Sequence, residues 1–302
     1  VRLWHSFRGK KQPPRPCSSL NPAADIIQGR VRHIASKAGG LGDELMTLGA
    51  VQAAVRAFPG WQCILHSRHH EFLAGSPGPQ RIVPFERHGL SEIFELTYVA
   101  KDVLSLNEQM GRQLGVSGTD YPIELVKPTI ADRHESAKLP NTVQVVVQCD
   151  SSGWTPNKQW PEAHWRTLIE SLPREWRILE VGARTIFPGL PSHPGFLSMA
   201  GRTSLPEFAA LIHAADVFIG PPSGGMHLAH AYRKPAVIIV GGFESPHYPY
   251  PAAVQLGSTV SCAPCWLRTP CPYDRRCLRE ITPAQVLAAV AAQLAVALPK
   301  PR

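Results

Sequence analysis

Four short stretches hold residue types that could do chemistry. In "GGLGDELM", glycines and Asp43 sit between a short apolar run and a long helical pattern. In "DSSGWTPNKQWP", Lys158 lies in a polar loop between two tryptophans. In "PPSGGMHLAHA", Ser223, Gly224 and Gly225 open a short helix that carries His227. Cys262, Cys265, Cys271 and Cys277 fall within sixteen residues near the end. An aspartate can take up a proton. A lysine can meet charge that develops on a leaving group. Backbone N–H groups at a helix start bind anions. Four thiols at short spacings suit tetrahedral zinc or iron.

Each stretch also has a plainer reading. Gly40-Leu41-Gly42-Asp43 does not spell the G-x-G-x-x-G dinucleotide fingerprint. It suits a tight strand-to-helix turn with Asp43 capping the helix, where the helix N-terminus keeps a carboxylate ionised. Lysines are usually solvated. Ser223–His227 reads equally as a glycine turn with a core histidine, and Thr203 in "GRTSL" as a loop threonine. Ser151, Ser152 and Thr155 could donate to phosphate. The cysteines lack a second C-x-x-C, so free thiols and disulfides stay open beside a metal. His66, Arg68, His69 and His70 read as an exposed basic loop or as the lining of a second pocket.

The elements that must position these residues alternate. "RVRHIASKA" reads as a strand, followed by a helix with Leu45, Leu48, Val51, Ala54, Val55 and Phe58 at helical spacing, stopped by Pro59-Gly60. "QCILHS", "QRIVPF" and "LTYVA" are further strands. "TVQVVVQC" is a continuous apolar run of the buried parallel type. Pro161 is expected in the first turn of the next helix. "WRILEVGA", "DVFIGPP" and "PAVIIVGG" are strands. Ser204 with Glu207 makes a capping box. Thr282 and Pro283 open the last helix. The expected fold is α/β: two Rossmann-like, doubly wound parallel-sheet domains facing a cleft. The expected organisation is a basic, proline-rich arm at 1–29, a short first domain at 30–126, a linker at 127–141 and a second domain at 142–302. In open parallel sheets ligands sit beyond the carboxyl ends of the strands, where the loops Gly39–Asp43, Asp150–Lys158, Pro221–His227 and Gly241–His247 all fall.

Composition narrows the partners. The 302 residues are 44% hydrophobic and 18% charged, which suits folded domains with real cores. No apolar run reaches the ~18 residues of a membrane helix. The start lacks the apolar stretch of a secretory signal, so a cytoplasmic, reducing setting is expected, with peripheral contact at the inner membrane face compatible. The net charge of +8 permits an anionic partner. Nucleic acid is not expected, since no basic block with interleaved aromatics is present.

Taken in order, these pieces resemble glycosyltransferase family 9, the ADP-heptose:lipopolysaccharide heptosyltransferases and their relatives. "GGLGDELMTLGAVQAAVRAFPG", "NKQWPEAHWRTLIESLP", "MAGRTSLPEFAALIHAADVFIGPPSGGMHLAHAYRKPAVIIVGG" and "CAPCWLRTPCPYDRRCLREITPAQVLAAV" carry the resemblance over about residues 31–297. The resemblance implies the GT-B architecture and inverting transfer from a nucleotide-diphospho-sugar, heptose-like by family default, without a catalytic metal. Asp43 would be the general base, with Gly40 and Gly42 on the acceptor side. Lys158, Thr203, Ser223, Gly224, Gly225 and His227 would bind the donor. Cys262, Cys265, Cys271 and Cys277 would hold a structural metal, iron in some relatives. One departure stands out: Pro222 occupies a position where the family commonly carries an aspartate. The acceptor is left open among glycan, lipid-linked, protein and small-molecule classes. The competing expectation is a degenerate relative that binds a sugar nucleotide without transferring it.

Overall fold

The computed structural model describes residues 19–86, 92–99, 104–118, 122–129, 141–151, 155–244, 248 and 250–297. Residues 1–18 of the expected arm, 130–140 of the expected linker, Ser152 and His247 lie outside them.

The first half runs α1 (Pro22–Ile27), β1 (Val31–Ser36), α2 (Leu41–Ala57), β2 (Gln62–Ser67), α3 (His70–Leu73), β3 (Arg81–Pro84), β4 (Ile93–Leu96) and α4 (Leu106–Gln113). Its four strands form one sheet in the order β3-β2-β1-β4, every pairing parallel. The second half runs β5 (Gln144–Gln148), α5 (Glu162–Ser171), β6 (Arg177–Val181), β7 (Phe196–Ser198), α6 (Leu205–Ala214), β8 (Val217–Gly220), α7 (Gly224–Ala231), β9 (Ala236–Gly241), β10 (Ala253–Gly257), α8 (Arg276–Arg279) and α9 (Pro283–Ala297). Its sheet is six-stranded and parallel, in the order β10-β9-β8-β5-β6-β7. This is the two-domain GT-B arrangement.

Strand order places the site. In the second sheet the chain builds outward from β5 through β6 and β7, then returns to β8 on the other flank. In the first sheet it builds from β1 through β2 and β3, then returns to β4. Each reversal opens a crevice at the carboxyl ends of the two central strands. The loops after β1 and β4 therefore meet, as do those after β5 and β8.

Burial explains the elements. Every residue of β5 is buried, as a strand covered on both faces demands. α2 is unusual: each residue from Glu44 to Ala54 is buried, so it has no solvent face. It packs on its own sheet, on α4 and on α7 of the second half. The Ser204–Glu207 capping box is present, as is the Thr282–Gln285 pair that opens α9.

Several expectations need correction. Pro161 stands at the N-cap of α5, one residue before the helix proper. The strand sought in "LTYVA" lies at Ile93–Leu96, because β1 pairs with that register and leaves Thr97–Val99 as an exit loop. β7, β10, α1, α3, α4 and α8 were not expected; α4 is polar in composition and is started by Ser105, which accepts from the Glu108 N–H. Within the expected arm, α1 is anchored: buried Asp25 accepts from Arg32 at 2.7 and 2.8 Å and from the Trp61 indole at 3.3 Å. Those partners hold the Asp25 carboxyl below its usual range although burial pushes it up.

Candidate active site

A cavity of about 710 Å³ lies between the two sheets' carboxyl ends. Among the residues that line it are Gly40, Gly42 and Asp43 from the first half, with Lys158, Thr203, Ser223, Gly224, Gly225 and His227 from the second.

Asp43 is the third residue of α2, and Gly40 is its N-cap. So Asp43 does not cap by preceding the helix; its carboxylate reaches back to the Gly40 backbone N–H. Tyr98, just past β4, donates its hydroxyl to the same carboxylate at 2.9 Å. Burial nevertheless raises the Asp43 pKa, against the lowering influence of Tyr98, Lys158 and Gly40 and with a further push from Glu244. The helix start alone was expected to keep Asp43 ionised; desolvation outweighs it. A carboxylate held above its ordinary range is a better proton acceptor.

Lys158 ends the 3-10 turn Pro156–Lys158. Its ammonium lies 2.7 Å from Glu244, donates to the Pro222 carbonyl at 3.3 Å and sits 5.1 Å from the centre of the Phe243 ring. Glu244 is buried and also accepts from the Tyr248 hydroxyl at 3.0 Å. The lysine is thus not a solvated surface cation.

The α7 start abuts the α2 start. A methyl group on Gly42 would come within 2.7 Å of the His227 ring, and one on Gly224 within 2.9 Å of Leu41. The Ser223 hydroxyl donates to Gln148 at 2.8 Å, so α7 offers a ligand mainly its backbone N–H groups. Ser151 lines the cavity nearby, buried, and its hydroxyl has no partner among the described residues. Thr155 does not fit the phosphate role: its hydroxyl is engaged with the Leu267 carbonyl and the Asn157 N–H.

His227 is buried and bonds the Tyr250 hydroxyl through Nδ1. Burial, with His230 and Lys158, lowers its pKa to about 3, so the ring is neutral. Asn107 of α4 hydrogen-bonds the Tyr250 oxygen. The Tyr250 hydroxyl is then able to donate to His227 Nδ1, in the tautomer that carries the imidazole proton on Nε2, the nitrogen beside Gly42.

His66, Arg68, His69 and His70 are not among the residues lining the cavity. His66 pairs with His33 at 2.8 Å, His69 with buried Glu44 at 2.8 Å, and Arg68 lies over the Phe85 ring at 4.3 Å. Glu44 also takes the Ser67 hydroxyl and the Arg68 N–H, so this cluster mainly ties β2's exit loop to α2.

The four cysteines line one small cavity of about 70 Å³ beside Gly242 and Phe243. Four thiols are a suitable soft donor set. Yet no three His, Cys, Asp or Glu side chains among the described residues stand close enough together to ligate one ion. The cysteine loop also brings Trp266 and Arg268 to the large cavity. Asn157, next to Lys158, holds that loop by donating to the Leu267 and Thr269 carbonyls.

Tyr98, Glu244, Tyr248, Tyr250, Asn107, Trp266 and Arg268 were not singled out in the sequence. Only the loop after "PAVIIVGG" gave a signal, as a strand exit in the second sheet; it carries Glu244.

The sequence model of glycosyltransferase family 9 (heptosyltransferase) matches residues 86–269, well over half of the chain. The chain belongs to glycosyltransferase family 9. Among this family's members, lipopolysaccharide heptosyltransferase 1 of Pseudomonas aeruginosa is 30% identical over 177 residues, 54% of this chain and 48% of that protein. The autotransporter heptosyltransferase TibC of Escherichia coli O78:H11 is 28% identical over 156 residues, 46% of this chain and 38% of its own length. The aligned parts therefore span half or less of these relatives. Among solved structures, a family-9 glycosyl transferase from Veillonella parvula superposes with TM-score 0.69 at 13% identity, covering 88% of this chain and 97% of that one. TibC, described as an iron-containing dodecameric glycosyltransferase, superposes with TM-score 0.67 at 21% identity over 88% of this chain and 76% of its own. At those identities the structures bear on the fold, which is shared. Among the described residues no helix is long and apolar enough to cross a membrane.

Proposed function

We propose that this family-9 chain is an inverting glycosyltransferase that moves a sugar from a nucleotide-diphospho-sugar to an acceptor hydroxyl. One observation carries the reading: Asp43 from one half and Lys158 with the α7 start from the other face a single cavity. In the reaction the acceptor oxygen attacks the anomeric carbon and forms the new C–O bond. Its proton passes to Asp43. The bond from the anomeric carbon to the diphosphate oxygen breaks with its electron pair, and the nucleoside diphosphate leaves. Lys158 and the N–H groups of Gly224 and Gly225 meet the charge that grows on that oxygen. Attack from the face opposite the leaving group inverts the anomeric centre. No step calls on a metal. The family match begins at residue 86, so the base role of Asp43 rests on its place in the cavity and on its raised proton affinity.

A heptose-like donor is the first candidate, because the relatives named above are heptosyltransferases. The cytoplasm, with contact at the inner face of a membrane, is the proposed setting, and lipid-linked glycan and protein acceptors are both retained. The cysteine cavity is proposed to take zinc or iron once the thiols draw together, stiffening the loop that carries Trp266 and Arg268. Elemental analysis of the purified protein checks this, and metal well below one equivalent would overturn it.

Pro222 favours a second reading, in which the chain binds a sugar nucleotide without transferring it. A thermal-shift screen over nucleotide sugars identifies the donor, since stabilisation grows with ligand concentration over the dissociation constant. Donor turnover then separates the readings. The transferase is expected to lose turnover in Asp43→Asn while keeping donor binding; turnover indifferent to that change would refute Asp43 as base.

A further inference from the structure

We infer that Glu244 is the residue that recognises hydroxyl groups of the transferred sugar, and so separates the intact donor from the spent nucleoside diphosphate. The inference rests on the transferase reading above and goes beyond it.

The acids that line the cavity among the described residues are Asp43 and Glu244. Asp43 belongs to the first half, which leaves Glu244 as the acid on the donor side. Residue 222, beside the α7 start, is a proline and brings only its carbonyl, which is occupied by Lys158. Gln148 already accepts the Ser223 hydroxyl. His227 is neutral with its Nδ1 engaged by Tyr250. A polyol arriving on this side therefore finds one strong charged acceptor, the Glu244 carboxylate.

The Lys158–Glu244 pair gives this acceptor its selectivity. Glu244 is only 3% exposed, and without a ligand its charge is balanced by Lys158 at 2.7 Å. A diphosphate that draws Lys158 toward itself weakens that balance. It leaves a buried carboxylate that keeps the Tyr248 hydroxyl at 3.0 Å as a hydrogen-bond donor. An uncompensated buried charge is costly. A nucleoside diphosphate alone imposes this cost and brings nothing to offset it. A sugar still attached to the diphosphate supplies O–H donors at the same place, and hydrogen bonds to a charged group are among the stronger ones. The intact donor is thus held, while the spent nucleotide, once the sugar has gone, restores the Lys158–Glu244 pair by leaving.

The test is equilibrium binding of ADP and of ADP-D-β-D-heptose, the ligand of one TibC structure, to wild type and to Glu244→Gln. Wild type should prefer the sugar-bearing ligand. In E244Q that preference should fall about tenfold, the worth of one hydrogen bond to a charged group, and ADP should bind at least as tightly as before. A parallel loss for both ligands would show that Glu244 merely holds Lys158 in place, and an unchanged preference would show no contact with the sugar; either overturns the inference. If wild type binds neither ligand, this donor assignment fails before the variant is used, and the inference fails with it; binding of both without turnover refutes the transferase reading alone. Should E244Q fold poorly, Glu244→Asp carries the test. It keeps the charge but withdraws it by one methylene, so preference must drop at an unchanged melting temperature, and an undiminished preference overturns the inference.

Discussion

The starts of α2 and α7 are two versions of one device, set face to face. Both follow the carboxyl end of a central parallel strand at a sheet's reversal point, both are glycine-rich, and they touch through Gly42, Gly224, Leu41 and His227. Their chemistry is opposite. α2 carries Asp43 and Glu44 in its first turn; α7 carries no acid there. A helix start with its own carboxylate has its N–H groups partly satisfied and has little use for a phosphate. A bare one keeps that positive end for a ligand. A glycine-rich turn is therefore a scaffold, and the presence or absence of an acid three residues in sets whether it is suited to handling protons or anions.

Four changes would break or sharpen this contrast. Asp43→Asn should lower turnover by about 10²–10⁴, the usual worth of a general base, and leave donor affinity intact. The same variant should melt higher at neutral pH. Because the folded-state pKa of Asp43 is raised, the folded chain binds more protons than the unfolded one in that window, and stability falls as pH rises through it; asparagine removes that loss. A lower melting temperature in the variant would contradict the burial argument. Lys158→Met should reduce turnover by about 10²–10³, comparable to losing one donor to a developing oxyanion. Single-turnover kinetics would place the loss in the chemical step. Gly42→Ala forces the two helix starts apart and should cost about 1–3 kcal/mol of stability. Gly189→Ala, whose methyl group would meet nothing within 4 Å, serves as its control in a denaturant titration. Tyr98→Phe should have the smallest effect. It removes a hydrogen bond that lowers the Asp43 pKa, so the acid limb of the pH–rate profile should move to higher pH. A limb that moves down or stays would mean Asp43 is not the titrating base.

What was readable in the chain follows from distance along it. Asp43, Lys158 and the Ser223–His227 turn each announce themselves within a dozen residues, by glycine, proline and a preceding apolar strand. Their partners do not. Tyr98 reaches Asp43 from 55 positions away, and the strand was expected three residues too late, which hid the place of Tyr98 in the loop just past β4. Glu244 was not singled out within the Gly241–His247 loop, because only folding sets it against Lys158. Asn107 lies in a polar helix whose pattern gave no sign of a buried face, yet it reaches Tyr250 across the interface between halves. The cysteines show the opposite failing: their spacing suggested a metal centre, and the structure gathers them around one cavity without bringing three of them into ligating reach.

The unbroken burial of α2 has a thermodynamic consequence. Part of its shelter comes from α7 of the second half and the rest from its own sheet and α4, so neither half of the molecule can lose its structure without exposing the same apolar helix. The two sheets then share one cooperative unit instead of melting in sequence. Scanning calorimetry should show a single transition with matching calorimetric and van't Hoff enthalpies, and two resolved peaks would mean that α2 belongs to one half alone.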